Sequence, residues 1–246
     1  MSTLSTKTRI PLKKTLVSLL IGSIFFFACR KESFAPTVKA CVPQTDNPSG
    51  RSYSENDIVA VGYTAKHCGF LPLNHNNYWI YEDSVFNDGV FVKVQFDTLR
   101  FVKTFQSLPD DLIWWETEIS IGLPEKLYAN DSTIFQMEPR MFAQEPTWDA
   151  KSEYSLFDGD SARYLTSFDD NAAMGTSVKM DDAIITPAGK FTDCVLFEKN
   201  ARSFRRDQVY FKPGLGVIKY IQEKAPMGSP FTKLQQISTL VSFHIE

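Results

Sequence analysis

Three histidines, His67, His75 and His244, are all this chain offers for imidazole chemistry, and its cysteines are Cys29, Cys41, Cys68 and Cys194. A nucleophilic triad needs a His beside its nucleophile. No G-x-S-x-G elbow, phosphate loop, H-E-x-x-H or C-x-x-C occurs. His67, Cys68 and His75 lie near one another, but their spacing matches no common zinc pattern. They read as loop histidines, so no metal site, cofactor or catalytic residue is expected. Acidic pairs occur at Asp110-Asp111, Asp169-Asp170 and Asp181-Asp182, and at Asp158 with Asp160. Glycoside hydrolysis would use two carboxylates about 5–10 Å apart across a cleft. Asp in loops more often forms solvated turns by bonding its own backbone. Asp158-Gly159-Asp160-Ser161 has oxygen ligands for Ca²⁺ but lacks the full ligand run and closing Glu of an EF-hand.

The aromatic surplus is the more suggestive feature: 20 Phe, nine Tyr and four Trp in 246 residues. In the segment 112–121, Ile113, Trp115, Ile119 and Ile121 alternate on one face. The other face carries Trp114, Glu116, Glu118 and Ser120. There Trp114 would offer a stacking surface for a sugar and Glu116 would accept its hydroxyl hydrogen bonds. The competing reading packs Trp114 beneath a neighbouring loop or strand end.

The amino terminus sets the compartment. Lys7, Arg9, Lys13 and Lys14 form a basic region before the uncharged apolar run 15–28. As a helix that run spans about 21 Å, short of a hydrocarbon core of about 30 Å. It therefore reads as a signal peptide. It ends Phe26-Phe27-Ala28-Cys29, which resembles a bacterial lipoprotein processing site: cleavage would leave Cys29 first and diacylated. The usual site has Leu three positions before the Cys, where this chain has Phe26. The alternatives are an uncleaved anchor or a plain signal peptide. Arg30, rather than Asp, follows the Cys, which favours the outer membrane and leaves its periplasmic or surface face open. Removing the signal takes 26 basic residues to 22 against 29 acidic ones, a net charge of −7. No basic stripe offsets that balance, which excludes nucleic acid as a partner. With Cys29 lipidated, at most one internal disulfide remains. Cys41–Cys68 is the economical pair, and Cys194 reads as a small buried hydrophobe.

The elements that would position these residues are strands. Residues 29–57, with Pro36, Pro43, Pro48 and Gly50, show neither helical nor strand period and read as an extended tether. Residues 58–246 form one expected domain. Strands are predicted at 77–84, 90–105, 112–121, 126–138 as a hairpin, 153–157, 162–168, 177–186, 191–198, 207–212, 216–223 and 234–245. In 90–105 the apolar positions run Val90, Val92, Val94, Phe96 and then Leu99, Phe101, Phe105. That slip predicts a bulge near Asp97–Leu99. About ten strands with short links predict an all-β antiparallel meander, closed into a barrel or a strongly curved sheet. Residues 234–245 are a possible unpaired edge for strand addition.

Three elements carry a resemblance. Leu71-Pro72-Leu73 with Asn77-Tyr78-Trp79-Ile80-Tyr81 resembles the opening strand of uncharacterised Bacteroidetes-type lipoproteins, with Asn76 where that pattern commonly has Gly. Ala188-Gly189-Lys190-Phe191-Thr192-Asp193-Cys194 and Tyr210-Phe211-Lys212-Pro213-Gly214-Leu215-Gly216-Val217-Ile218-Lys219 resemble two later elements of the same family. The resemblance implies a β-rich envelope domain and no established chemistry. The expected function is a non-catalytic binding module for glycan, lipid or protein, held to the membrane by its lipid anchor. An assembly lipoprotein of an envelope complex, or a carboxylate-dependent hydrolase, are the alternatives.

Overall fold

The computed structural model describes residues 41–140, 143–156, 163–165 and 173–246. Cys29, Asp158, Asp160, Asp169 and Asp170 lie outside the described residues. The described chain has eighteen strands and one short 3₁₀ turn, Glu55–Asp57. They are β1 (Val42–Pro43), β2 (Ser52–Ser54), β3 (Ile58–Val61), β4 (His67–Cys68), β5 (Tyr78–Asn87), β6 (Val90–Ser107), β7 (Leu112–Thr117), β8 (Lys126–Ala129) and β9 (Thr133–Pro139). Then follow β10 (Thr147–Ser155), β11 (Arg163–Leu165), β12 (Ala173–Lys179), β13 (Ile184–Thr186), β14 (Gly189–Phe191), β15 (Val195–Asn200), β16 (Arg205–Lys212), β17 (Gly216–Lys224) and β18 (Lys233–His244).

Thirteen of them lie on one hydrogen-bonded path, β11-β12-β15-β16-β17-β18-β5-β6-β7-β8-β9-β10-β2, with β3 pairing β6 off that path. All its pairings are antiparallel. The all-β reading therefore stands, with more strands than the sequence suggested. The expected barrel is corrected: no pairing among the described residues joins β11 to β2. Instead, distant strands meet through side chains. Tyr154 on β10 lies 5.1 Å, ring to ring, from Phe197 on β15, nine steps away along the path. A flat sheet would hold them about 43 Å apart. The two halves of the sheet thus face one shared core of Phe70, Trp79, Tyr81, Leu99, Phe101, Trp115, Tyr154, Phe197, Phe211 and Tyr220, among others.

Three element expectations change. First, the tether ends earlier than position 57: β2 pairs with β10 and β3 with β6. Segment 52–61 is thus a strap across the β6–β10 half, and it covers a second core of Tyr53, Leu112, Trp114, Tyr128, Phe135, Met137 and Ala150. Second, β18 is not an edge. It follows β17 after residues 225–232 and pairs with both β17 and β5, which places the last strand between them. Third, the slip at Asp97–Leu99 is no bulge. The β5–β6 pairing runs unbroken there, and the irregularities of β6 fall at Val92 against β5 and between Phe101 and Lys103 against β7. Leu99 and Phe101 are buried, whereas Val90, Val92, Val94 and Phe96 are exposed. The apolar set changes face; the backbone does not slip.

Candidate functional site

Each singled-out residue that the structure describes has a definite place. Trp114 has no exposed surface. Tyr53 meets it edge-on at 6.2 Å, and Tyr128 lies at 5.8 Å. This corrects its assignment as a sugar platform, because the strap covers the face that was expected to be open. Glu116 stays accessible. It accepts a 2.9 Å bond from Lys103 Nζ and lines a shallow cavity of about 530 Å³ with Val102, Glu118 and Glu125. Trp114 and Glu116 therefore do not form one site.

Cys41 and Cys68 are joined by a disulfide, with Cα atoms 5.3 Å apart. The sulfur of Cys68 is thereby unavailable as a thiolate ligand. His67 is buried, with Nε2 2.8 Å from the Tyr63 hydroxyl and its ring against Trp115. Burial pulls its pKa down to about 4, so it is a neutral imidazole. His75 donates Nδ1–H to the Phe101 carbonyl at 2.9 Å and packs on Trp115. Cys194 is buried; burial raises its thiol pKa, the reverse of what a nucleophile requires. Among the acidic pairs, Asp110 is a structural anchor that accepts from Arg51, Ser107 and Tyr53. No cluster of three or more metal-ligating side chains occurs among the described residues.

The richest polar constellation is one the sequence reading missed. It runs across the core-facing side of five adjacent strands, where side chains of register partners share a face. On β6 and β5, Gln95 pairs with Asp83. On β18 and β17, Ser238 and Gln236 pair with Tyr220 and Gln222. On β16, Asp207 stands opposite Gln222. Bonds tie the row into two groups, one around Asp83 and one around Asp207. Gln236 Nε2 donates to Asp83 Oδ2 at 3.2 Å and to Ser238 Oγ at 2.9 Å. Gln222 Nε2 donates to the Tyr220 hydroxyl at 2.8 Å, which donates to Asp207 Oδ2 at 3.0 Å. Arg205 grips Asp207 with two bonds, of 2.9 and 2.6 Å. Beyond it, Lys199 on β15 pairs with Glu153 across the core.

The row divides into two kinds of residue. Asp83, Asp207 and Ser238 are buried, while Gln95, Gln222, Gln236 and Arg205 are half-buried. Buried acids hold half-exposed amides and a guanidinium in fixed orientations, the preorganisation a binding site needs. Asp83 is the strained member. Burial is the main cause, and hydrogen bonding to the Asp97 carboxyl adds to it; together they push its pKa up to about 6. Two carboxylates lack a donor between them, and a proton on Asp83 supplies one. The sequence signal for this row was present but diluted: polar residues at core-parity positions in strands otherwise apolar on that face.

No protein-family model matches the chain, and no curated protein matches it. Among solved structures it is similar to a 2.70 Å crystal structure from Parabacteroides distasonis ATCC 8503, of a protein provisionally described as a lipoprotein. The match has a TM-score of 0.36 and 12% identity, covering 72% of this chain and 99% of that one. At that identity no residue's role can be carried from one chain to the other.

Proposed function

We propose that this chain is a lipid-anchored lipoprotein of the bacterial cell envelope and that its β domain is a non-catalytic module binding a hydroxyl-rich, glycan-class ligand. The anchor rests on the basic region, the apolar run 15–28 and Cys29. Two or three acyl chains would make it effectively permanent, since one chain alone holds only marginally. The binding role rests on one observation: the row in which buried Asp83 and Asp207 orient Gln236 and Arg205. Side-chain amides and guanidinium groups offer the donors and acceptors that sugar hydroxyls pair with. The Asp83–Asp97 contact favours a hydrolase as the second reading. Against it, Asp83 is 1% exposed, and a hydrogen-bonded carboxyl pair sits closer than the 5–10 Å or so that glycoside hydrolysis uses.

The test is a glycan microarray probed with the labelled full chain in detergent. Binding to a discrete glycan set, lost in Gln222→Ala and retained in Leu108→Ala, is the expected result. Binding to no glycan, or binding unchanged in Gln222→Ala, overturns it. Release of reducing sugar from a bound glycan, abolished by Asp83→Asn, would replace it with the hydrolase.

A further inference from the structure

β6 is 18 residues long, and its two edges are served unequally. On one edge β5 covers Val90 to Arg100. On the other, β7 pairs only from Phe101 onward, and the Glu118 amide bonds the Arg100 carbonyl at 3.0 Å. After that bond the chain turns away. Among the described residues, no strand pairs with the β7-side edge over 90–99.

That open edge also carries the wrong surface for a lone edge. Protected edges use charge, proline or bulges. Here Val90, Phe91, Val92, Val94 and Phe96 are all exposed, Val90 to 70% and Phe96 to 63%. The β5–β6 pairing is regular from Lys93 to Arg100; its bulge falls at Val92, before the stretch 93–97 that would pair. Backbone direction follows from the Arg100 carbonyl, which points to the open side. In a regular strand alternate residues point alike, so residues 98, 96 and 94 also aim N–H and C=O outward, and the bulge at Val92 ends the alternation.

The geometry points to a second copy of this chain as the occupant, pairing antiparallel, β6 against β6, about a two-fold axis at Gln95. Two-fold pairing requires outward-pointing residues to face each other, which allows axes at successive positions. An axis at Lys93 sets Lys93 against itself, a like-charge contact. An axis at Val94 sets Phe91 against Asp97. The axis at Gln95 sets Lys93 of each copy opposite Asp97 of the other, and Val94 opposite Phe96. Lys93 and Asp97 then fall in the positions without backbone bonds, where facing side chains come closest, with Cα atoms about 4.5 Å apart. Self-pairing is thus matched in hydrogen bonds, apolar contacts and charge. It joins two copies of the sheet edge to edge, an isologous contact that closes at two. The contact shares Gln95 and Asp97 with the polar row, but its test reads crosslinking and sedimentation rather than glycan binding, so the two readings fail separately.

The test uses the full chain in the membranes of exporting cells. Gln95→Cys places two thiols across the axis within disulfide reach, where Cα separations of about 4.4–6.8 Å are accepted. Mild oxidation is expected to yield a reducible dimer. Val92→Cys, three residues from the axis and therefore far from its own counterpart, is expected to give no more dimer than the unmodified chain. Lys93→Asp weakens association of the detergent-solubilised chain by about tenfold, read by sedimentation. The proposal is overturned if Gln95→Cys does not crosslink, if Val92→Cys crosslinks equally, or if the unmodified chain sediments as a monomer at every concentration tested.

Discussion

Trp114 and Trp115 are neighbours in sequence and lie on opposite faces of β7, yet neither has exposed surface. Trp115 belongs to the large core and Trp114 to the smaller one. A strand buried on both faces shows no amphipathic contrast, and the adjacent glutamates imitated one. Trp114 Nε1 has no acceptor among the described residues, so its contribution is packing. Trp114→Ala is expected to cost about 3–5 kcal/mol in urea unfolding, with Trp114→Phe far milder. Asp83 makes the second residue-scale prediction. Its pKa is raised from an ordinary 3.8 to about 6. Between those values the folded chain keeps a proton that the unfolded chain has lost, so stability falls as pH rises through that window. His67 acts oppositely: lowered from 6.5 to about 4, it costs stability as pH falls through that interval. Comparing Asp83→Asn with the parent cancels the histidine. The variant is expected to match the parent near pH 4 and exceed it by about 1–2 kcal/mol at pH 7, after allowance for solvent screening.

At the scale of elements, the strap explains two corrections at once. Residues 52–57 look like linker because they are mostly short and polar, and the apolar run 58–64 reads only as a short strand or helical turn. The strap's pairing is supplied by partners far along the chain: β10 for β2, β6 for β3. Once Tyr53 is buried there, Trp114 cannot be a surface residue. The disulfide fixes the start of this region, closing a separation of 27 residues. Loop entropy of that length predicts that reduction lowers stability by about 3–4 kcal/mol. Thermal unfolding with and without reductant measures it, and a Cys41→Ser, Cys68→Ser double variant in oxidising conditions should reproduce the loss. The hairpins β8–β9 and β16–β17, by contrast, were legible from turn residues alone. Asn130 caps its turn by accepting from the Ser132 and Thr133 amides, and Gly214 adopts φ +79°.

Across the whole molecule, the motif segments turn out to touch one another. Trp79 Nε1 donates to the Leu215 carbonyl at 2.9 Å, and the Tyr81 hydroxyl donates to the Val217 carbonyl at 2.7 Å. Gly216 lies between those carbonyls with φ +119°, and a Cβ there would sit 3.5 Å from the Trp79 indole nitrogen. Two segments about 136 residues apart thus form one structural unit: aromatic donors from β5 tie down the tight start of β17. That is a physical reason for Trp-x-Tyr strands and Pro-Gly-x-Gly turns to occur in one chain. It concerns folding, not chemistry, in keeping with motifs that named no catalytic group.

The sequence by itself determined what depends on neighbours along the chain. These are the apolar run 15–28 before Cys29, the acidic balance, the strand class and the short hairpins. Local backbone preference and side-chain period act within a few residues, so a single chain displays them. Only the tertiary structure decided which faces are covered. It buried Trp114, brought Asp83, Asp207, Gln222 and Gln236 onto one row, placed β18 between β17 and β5, and left the β7-side edge of β6 over 90–99 without a partner strand among the described residues. Each of those outcomes depends on register between strands remote in sequence, and a strand's own alternation says which residues share a face but not what lies opposite it.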